Sequence, residues 1–188
     1  MSDLQIYPQQ TPNPKSVKFI LNKNVINDGK ATFTTPDQCG DIILARDLLA
    51  LPSVVQVYFF ENVITITQSE EEWDTMTQMV KSVLFTRMPQ HNQEINLNAQ
   101  KQKARESLPP EMQKIEEILD RTVRPGLQSD GGNIEVLRLE GKELFVRYEG
   151  ACGTCPSATA GTLQAIEEIL RHEYDKEIFV TPLNDQMM

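Results

Sequence analysis

Between Met88 and Pro110 the chain offers almost nothing to bury. Gln90 to Lys103 is rich in Asn, Gln and charge, and Ile95 and Leu97 are its only large aliphatic residues. Such a segment repeats apolar residues at neither the helical nor the strand period, so it has no face to lay on a core. It divides the chain into two blocks. The expected organisation is a first domain over 1–88, a linker over 89–109, partly helical at most, and a second domain over 110–188, entered at Pro109-Pro110. With 188 residues in all, each block is long enough for a core but too short for most large enzymes.

Within the first block, Thr11-Pro12-Asn13-Pro14 forbids helix, because each proline fixes φ and restricts its predecessor. Ser16 to Leu21 then reads as a strand with Val17, Phe19 and Leu21 on one face. Residues 31–34 suit another short strand. Ile42, Ile43, Ala45, Leu48 and Leu49 have helical spacing. Val54 to Phe60 and Val63 to Thr67 read as a hairpin around Glu61-Asn62. Ser69 with Glu72 looks like a capping box opening a helix that carries Trp73, Met76, Met79, Val80, Val83 and Leu84. A methionine stripe of this kind is core rather than a ligand surface.

The second block reads α-β-β-α-β. Met112, Ile115, Ile118, Leu119 and Thr122 line a helix that Arg124-Pro125-Gly126 should end. Strands at Ile134–Leu139 and Leu144–Tyr148 turn at Gly141-Lys142. A helix from Ser157 carries Leu163, Ile166, Ile169 and Leu170, and 178–180 suits a last strand. The fold class is therefore α+β, as two small α/β-sandwich domains joined by a polar linker.

The net charge of −9 comes from 27 acidic against 18 basic side chains. Neither block has a basic excess, which argues against nucleic acid as a partner. Met1 to Gln5 has no basic region ahead of an apolar run and no Arg-rich presequence. Arg46, Glu61 and Glu70 break the most apolar stretches, so no membrane span is expected. These features point to a soluble cytosolic (cytoplasmic) chain whose thiols stay reduced.

Of the 3 cysteines, two fall in Gly150-Ala151-Cys152-Gly153-Thr154-Cys155-Pro156-Ser157, between a predicted strand and helix. Cysteines three apart on a turn can aim both sulfurs at one site. The helix N-terminus adds unpaired N–H groups and positive potential, which stabilise a thiolate or an anionic ligand. Gly150, Ala151 and Gly153 leave room for a bulky group to approach the backbone. A tetrahedral metal site or a cubane cluster takes four protein ligands as a rule, and this turn offers two. His172 lies about 25 Å along the helix, His91 sits in the linker and should be solvated, and Cys39 reads as a packing residue. A full site then needs a second chain or an exogenous thiol. Dithiol redox chemistry is the main rival, since strand, Cys-x-x-Cys and helix is also the thioredoxin-like context and Thr181-Pro182 supplies a late proline. Too little chain follows Cys155 for that fold. An adaptor role for an acidic interaction face is the third reading. Asp130-Gly131-Gly132 suits a tight turn, structural rather than catalytic.

The residues resemble the NifU-like (Nfu) iron–sulfur scaffold and carrier family over nearly the whole chain. Arg124-Pro125-Gly126-Leu127, Asp130-Gly131-Gly132, Ile134-Glu135 and the stretch from Gly150 to Ser157, with Thr162-Leu163, match its C-terminal domain. Thr11-Pro12-Asn13-Pro14, Ser16, Lys18-Phe19, the hairpin from Val57 to Thr67 and Trp73 resemble its N-terminal domain. Asn133 stands where the family usually has Asp, and Ala158 and Gln164 where Ser and Lys are common. The resemblance implies a [4Fe–4S] cluster, with [2Fe–2S] left open, held as cofactor and metal site by Cys152 and Cys155 of each of two subunits. It implies a homodimer when loaded, a cluster donor and apo iron–sulfur proteins as partners, and no catalytic residues: a carrier, not an enzyme.

Overall fold

A computed structural model describes residues 3–94, 108–152 and 156–183, with backbone alone for 156–160. The N-terminal half contains β1 (Ile6–Gln10), β2 (Ser16–Leu21), β3 (Lys30–Phe33), α1 (Ile43–Leu49), β4 (Val54–Phe60), β5 (Val63–Gln68) and α2 (Asp74–Arg87). Its five strands form one sheet in the order β1-β2-β5-β4-β3, antiparallel throughout. Alternation sorts the side chains. Val17, Phe19, Ala31, Phe33, Val57, Phe59, Ile64 and Ile66 point inward and are buried with Leu44 and Leu48 of α1 and Met76, Val80 and Leu84 of α2. The methionine stripe is thus core at Met76, as its spacing implied.

The opposite face of this sheet is polar. Lys18 pairs across strands with Thr65, Thr65 with Tyr58, and Tyr58 with Thr32, so these four residues make one row. Ser16 and Thr67 lie beside it, joined by a 2.8 Å hydroxyl contact.

The C-terminal half contains α3 (Pro110–Thr122), α4 (Arg124–Ser129), β6 (Gly132–Glu140), β7 (Glu143–Gly150), α5 (Pro156–Glu173) and β8 (Phe179–Pro182). Strands β6 and β7 are antiparallel and β8 adds parallel to β7; parallel neighbours need a crossover, which α5 provides. Ile115, Ile118, Leu119, Ile134, Leu144, Val146, Ile166, Leu170 and Ile178 form a second core. Among the described residues no helix is long and apolar enough to cross a membrane.

Several expectations need correction. Strand β1 was not anticipated: Ile6 alone is buried, so no apolar alternation marks it, and Pro8 is tolerated because an edge strand can spare an N–H. The Ser69–Glu72 capping box does not form. Ser69 Oγ donates to Glu70, while Glu72 accepts from the N–H of Asp74 at 3.0 Å and the helix begins there. Arg124-Pro125-Gly126 does not simply end a helix; Pro125 sits in the first turn of α4, where its missing N–H costs nothing. Residues 95–107 of the predicted linker lie outside the described residues, but His91 is not solvated. Its Nε2–H donates to the carbonyl of Val25 at 2.7 Å, and its ring packs edge-on against Phe59.

Candidate functional site

Strand β7 ends at Gly150 and α5 starts at Pro156, so the cysteine motif occupies the strand-to-helix connection that its sequence implied. Cys155 lies outside the described residues. Cys152 is only 6% exposed and belongs to the C-terminal core.

Two glycine turns build its surroundings. Gly131 and Gly150 both have positive φ, 79° and 64°, a region open to glycine at little cost. The N–H of Ala151 donates to the carbonyl of Gly131 at 3.1 Å, tying the Asp130-Gly131-Gly132 turn to the cysteine turn. A Cβ on Gly132 would overlap the Cys152 sulfur and come within 3.0 Å of its Cβ and backbone N. The Asp-Gly-Gly segment is therefore structural, as expected, and it forms the wall against which Cys152 packs. What approaches the glycines, however, is the chain itself: a Cβ on Gly150 would lie 3.1 Å from the Tyr58 ring.

Two buried tyrosines lie within electrostatic reach of Cys152. Burial first, and the electrostatic influence of Cys152 next, push the Tyr148 phenol well above its ordinary range. Its hydroxyl is buried with no hydrogen-bond partner among the described residues. Tyr58, from the other half, is pushed up by burial, with Glu149 and Cys152 adding to the effect and the Asn133 hydrogen bond opposing it. A buried hydroxyl with no partner among the described residues is a donor open to an incoming acceptor.

Sequence reasoning missed the polar groups that hold this turn from the N-terminal half. Asn13 Nδ2 donates to the Ala151 carbonyl at 2.8 Å, and Thr65 Oγ1 donates to the Gly131 carbonyl at 2.8 Å. Glu149, buried, accepts from Thr32 Oγ1 at 2.9 Å and forms an ion pair with Lys30. Asn133 Nδ2 donates to the Tyr58 hydroxyl at 3.3 Å, and Lys18 Nζ donates to the Ser129 carbonyl. The one available signal was the run of small polar residues on the outer face of β2 and β5. It is indistinguishable in sequence from a solvated face.

The remaining candidates fall elsewhere. Cys39 is 1% exposed in the first core; burial pushes its thiol up, partly offset by Arg46, and its S–H donates to Thr35. That is a packing residue. His172 is exposed in the last turn of α5. Thr181-Pro182 lies on β8 opposite Phe145 and Val146, partway down β7 from the cysteine turn. Gln164 is exposed and donates to Glu168. Among the described residues no three His, Cys, Asp or Glu side chains gather as a metal site.

These features define a class: a two-core α+β protein whose one dithiol motif sits at a glycine-walled strand-to-helix turn. The NifU-like domain family matches residues 115–181 and the scaffold protein Nfu/NifU N-terminal family matches residues 6–91. The chain belongs to the NifU-like (Nfu) family. It is 30% identical over 175 residues to NifU-like protein 5, mitochondrial, of Arabidopsis thaliana, covering 89% of this chain and 63% of that protein. It is also 30% identical over 170 residues to the NFU1 iron-sulfur cluster scaffold homolog, mitochondrial, of Homo sapiens, covering 88% and 66%. The chain thus spans somewhat less than two thirds of these relatives' length. The cytosolic expectation does not stand against these names, each of which reads mitochondrial.

Proposed function

We propose that this chain is an iron–sulfur cluster scaffold that carries its cargo on the cysteine turn. A role in iron–sulfur cluster assembly is supported by the family and by the relative named as a scaffold homolog; the same relatives' names support a mitochondrial setting. In this reading residues 1–88 and 110–188 are separate domains joined by 89–109. Cys152 and Cys155 of two copies supply four thiolates to a [4Fe–4S] cluster, which then passes to apo-proteins.

The observation that carries the reading is the position of Cys152. It sits on a turn walled by Gly132, precedes the N-terminus of α5, and shares the C-terminal core with a buried Tyr148 whose hydroxyl lacks a partner among the described residues. Thiolates and sulfides are acceptors, and that hydroxyl and the helix N–H groups are donors. A ligand set split between two chains can open, which suits delivery over storage.

Anaerobic reconstitution tests the reading. The expected product has about four iron atoms per two chains and the mass of a dimer. Cys152→Ala and Cys155→Ala should each abolish both. Full loading of either variant, or a loaded monomer, overturns the shared site.

A further inference from the structure

We propose that the polar face of the N-terminal sheet is an intramolecular cap for the cysteine turn, and that this cap and a second copy of the chain compete for the same side of Cys152. The inference rests on the cluster-sharing reading above for its purpose, but not for its evidence.

The cap is built from complementary polar groups. Asn13 and Thr65 donate to carbonyls on the two turns that flank Cys152, at Ala151 and Gly131. Lys30 and Thr32 hold Glu149 three residues before the cysteine, and Tyr58 meets Asn133, the cross-strand partner of Glu149. Strand β7 consequently lies against β4 and β5. The covered sheet residues Ser16, Thr65 and Thr67 are 0% exposed, although they face away from their own core.

The chemistry of this contact differs from that of either core. Among the described residues, hydrogen bonds and the Lys30–Glu149 ion pair join the halves, and the Tyr58 ring is the one large aromatic surface among the contacts named. Hydrogen bonds exchanged with water are modest in net strength, so such an interface can separate without unfolding either core. Asn133 fits this role: its amide donates to Tyr58 while standing next to Glu149, where a carboxylate would accept only and would add a second negative charge.

Cys152 packs into its own core and against Gly132, and docking covers the two turns that flank it. A cluster held by two chains must place the thiolates of both around it, so each turn has to face its partner copy. In the capped chain Tyr58 and the Thr65 row stand against the glycine walls of that turn. Release of the cap presents the thiol, and docking withdraws it. The same step frees the polar sheet face each time a cluster is bound.

The test is the alkylation rate of Cys152 by iodoacetamide in the full apo-chain, read by peptide mass spectrometry. Cys39, sealed in the N-terminal core, is the internal reference for unfolding. Lys30→Glu and, independently, Thr65→Arg should raise the Cys152 rate at least about tenfold, with Cys39 unchanged. Combining Lys30→Glu with Glu149→Lys should return the rate toward that of the native chain. Unchanged Cys152 rates in both folded variants overturn the cap, as does a rise that occurs only in step with Cys39. Because the readout needs no iron, uncapped variants that label quickly but never load a cluster would leave the cap intact and count against the carrier reading alone.

Discussion

The sulfur of Cys152 occupies the space that a side chain on Gly132 would need. Gly132 opens β6 and pairs directly with Gly150 at the end of β7. The wall of the thiol site is therefore set by a missing methyl group, and the cysteine's position depends on a residue twenty positions earlier in the chain.

Gly132→Ala follows from that relationship. The new Cβ meets the Cys152 sulfur, its Cβ and its backbone N together, so no single flexible atom can yield. Overpacking of this kind costs about 1–3 kcal/mol. The expected result is a lower urea midpoint and a loss of iron loading far greater than the loss of stability, because the thiol is pushed off the turn. Normal loading by a folded Gly132→Ala chain would remove Gly132 from the site.

Tyr148→Phe should behave in the opposite sense in the apo-chain. Its hydroxyl is buried without a partner among the described residues, and an unmade hydrogen bond costs about 1–3 kcal/mol. Removing the oxygen should leave the melting temperature equal or higher. If the hydroxyl instead serves the cargo, the loaded variant should lose its cluster to a chelator several-fold faster than the native protein. Equal decay rates would confine Tyr148 to packing.

Arg124 carries the largest stability prediction. It is 7% exposed, pairs with Glu116 at 2.7 Å and with Asp120, and donates through Nε and an Nη to the Ile134 carbonyl at 3.3 and 3.2 Å. It thereby ties α3, α4 and β6 together. Arg124→Ala removes the ion-pair partner of the buried Glu116 carboxylate, a loss of about 3–5 kcal/mol. Chemical unfolding of the C-terminal core should register it, with the N-terminal core little changed. A loss below about 1 kcal/mol would show the network to be dispensable.

The hairpin from Val54 to Gln68, the helix carrying Met76, and the strand–cysteines–helix order were legible because apolar period and turn chemistry agree there. The failures share a physical cause. β1 shows one buried residue and a proline, so it pairs through backbone bonds that leave no apolar pattern. The Ser69–Glu72 box was a correct motif in the wrong place, overridden where Trp73 packs into the core and its indole N–H donates to the Pro14 carbonyl at 2.8 Å. His91 was assigned by the polarity of its neighbours, whereas its ring found Phe59. At the site, Cys152 was legible, but the groups that hold its turn were not. Asn13, Lys30, Thr32 and Thr65 look like any solvent-facing alternation, and only the fold reveals that the cysteine turn is what they face.

His91 gives the first half a pH dependence of its own. Burial lowers its pKa from the ordinary 6.5, and the bond to the Val25 carbonyl opposes this only in part. Above pH 6.5 the imidazole is neutral in both folded and unfolded chains and contributes no slope. Below it the unfolded chain takes up a proton that the folded chain resists, so stability falls as pH drops from 6.5 toward the lowered folded value. Melting of the N-terminal core, followed from pH 7.5 to 5, should therefore decline across that window. His91→Gln keeps an N–H for Val25 and removes the titration, so its profile should flatten there. Asp175, held below its ordinary 3.8 chiefly by the N–H of Glu177, also favours the folded chain, but its contribution is lost only in stronger acid. An unchanged slope between pH 6.5 and 5 in His91→Gln would assign the effect to another group.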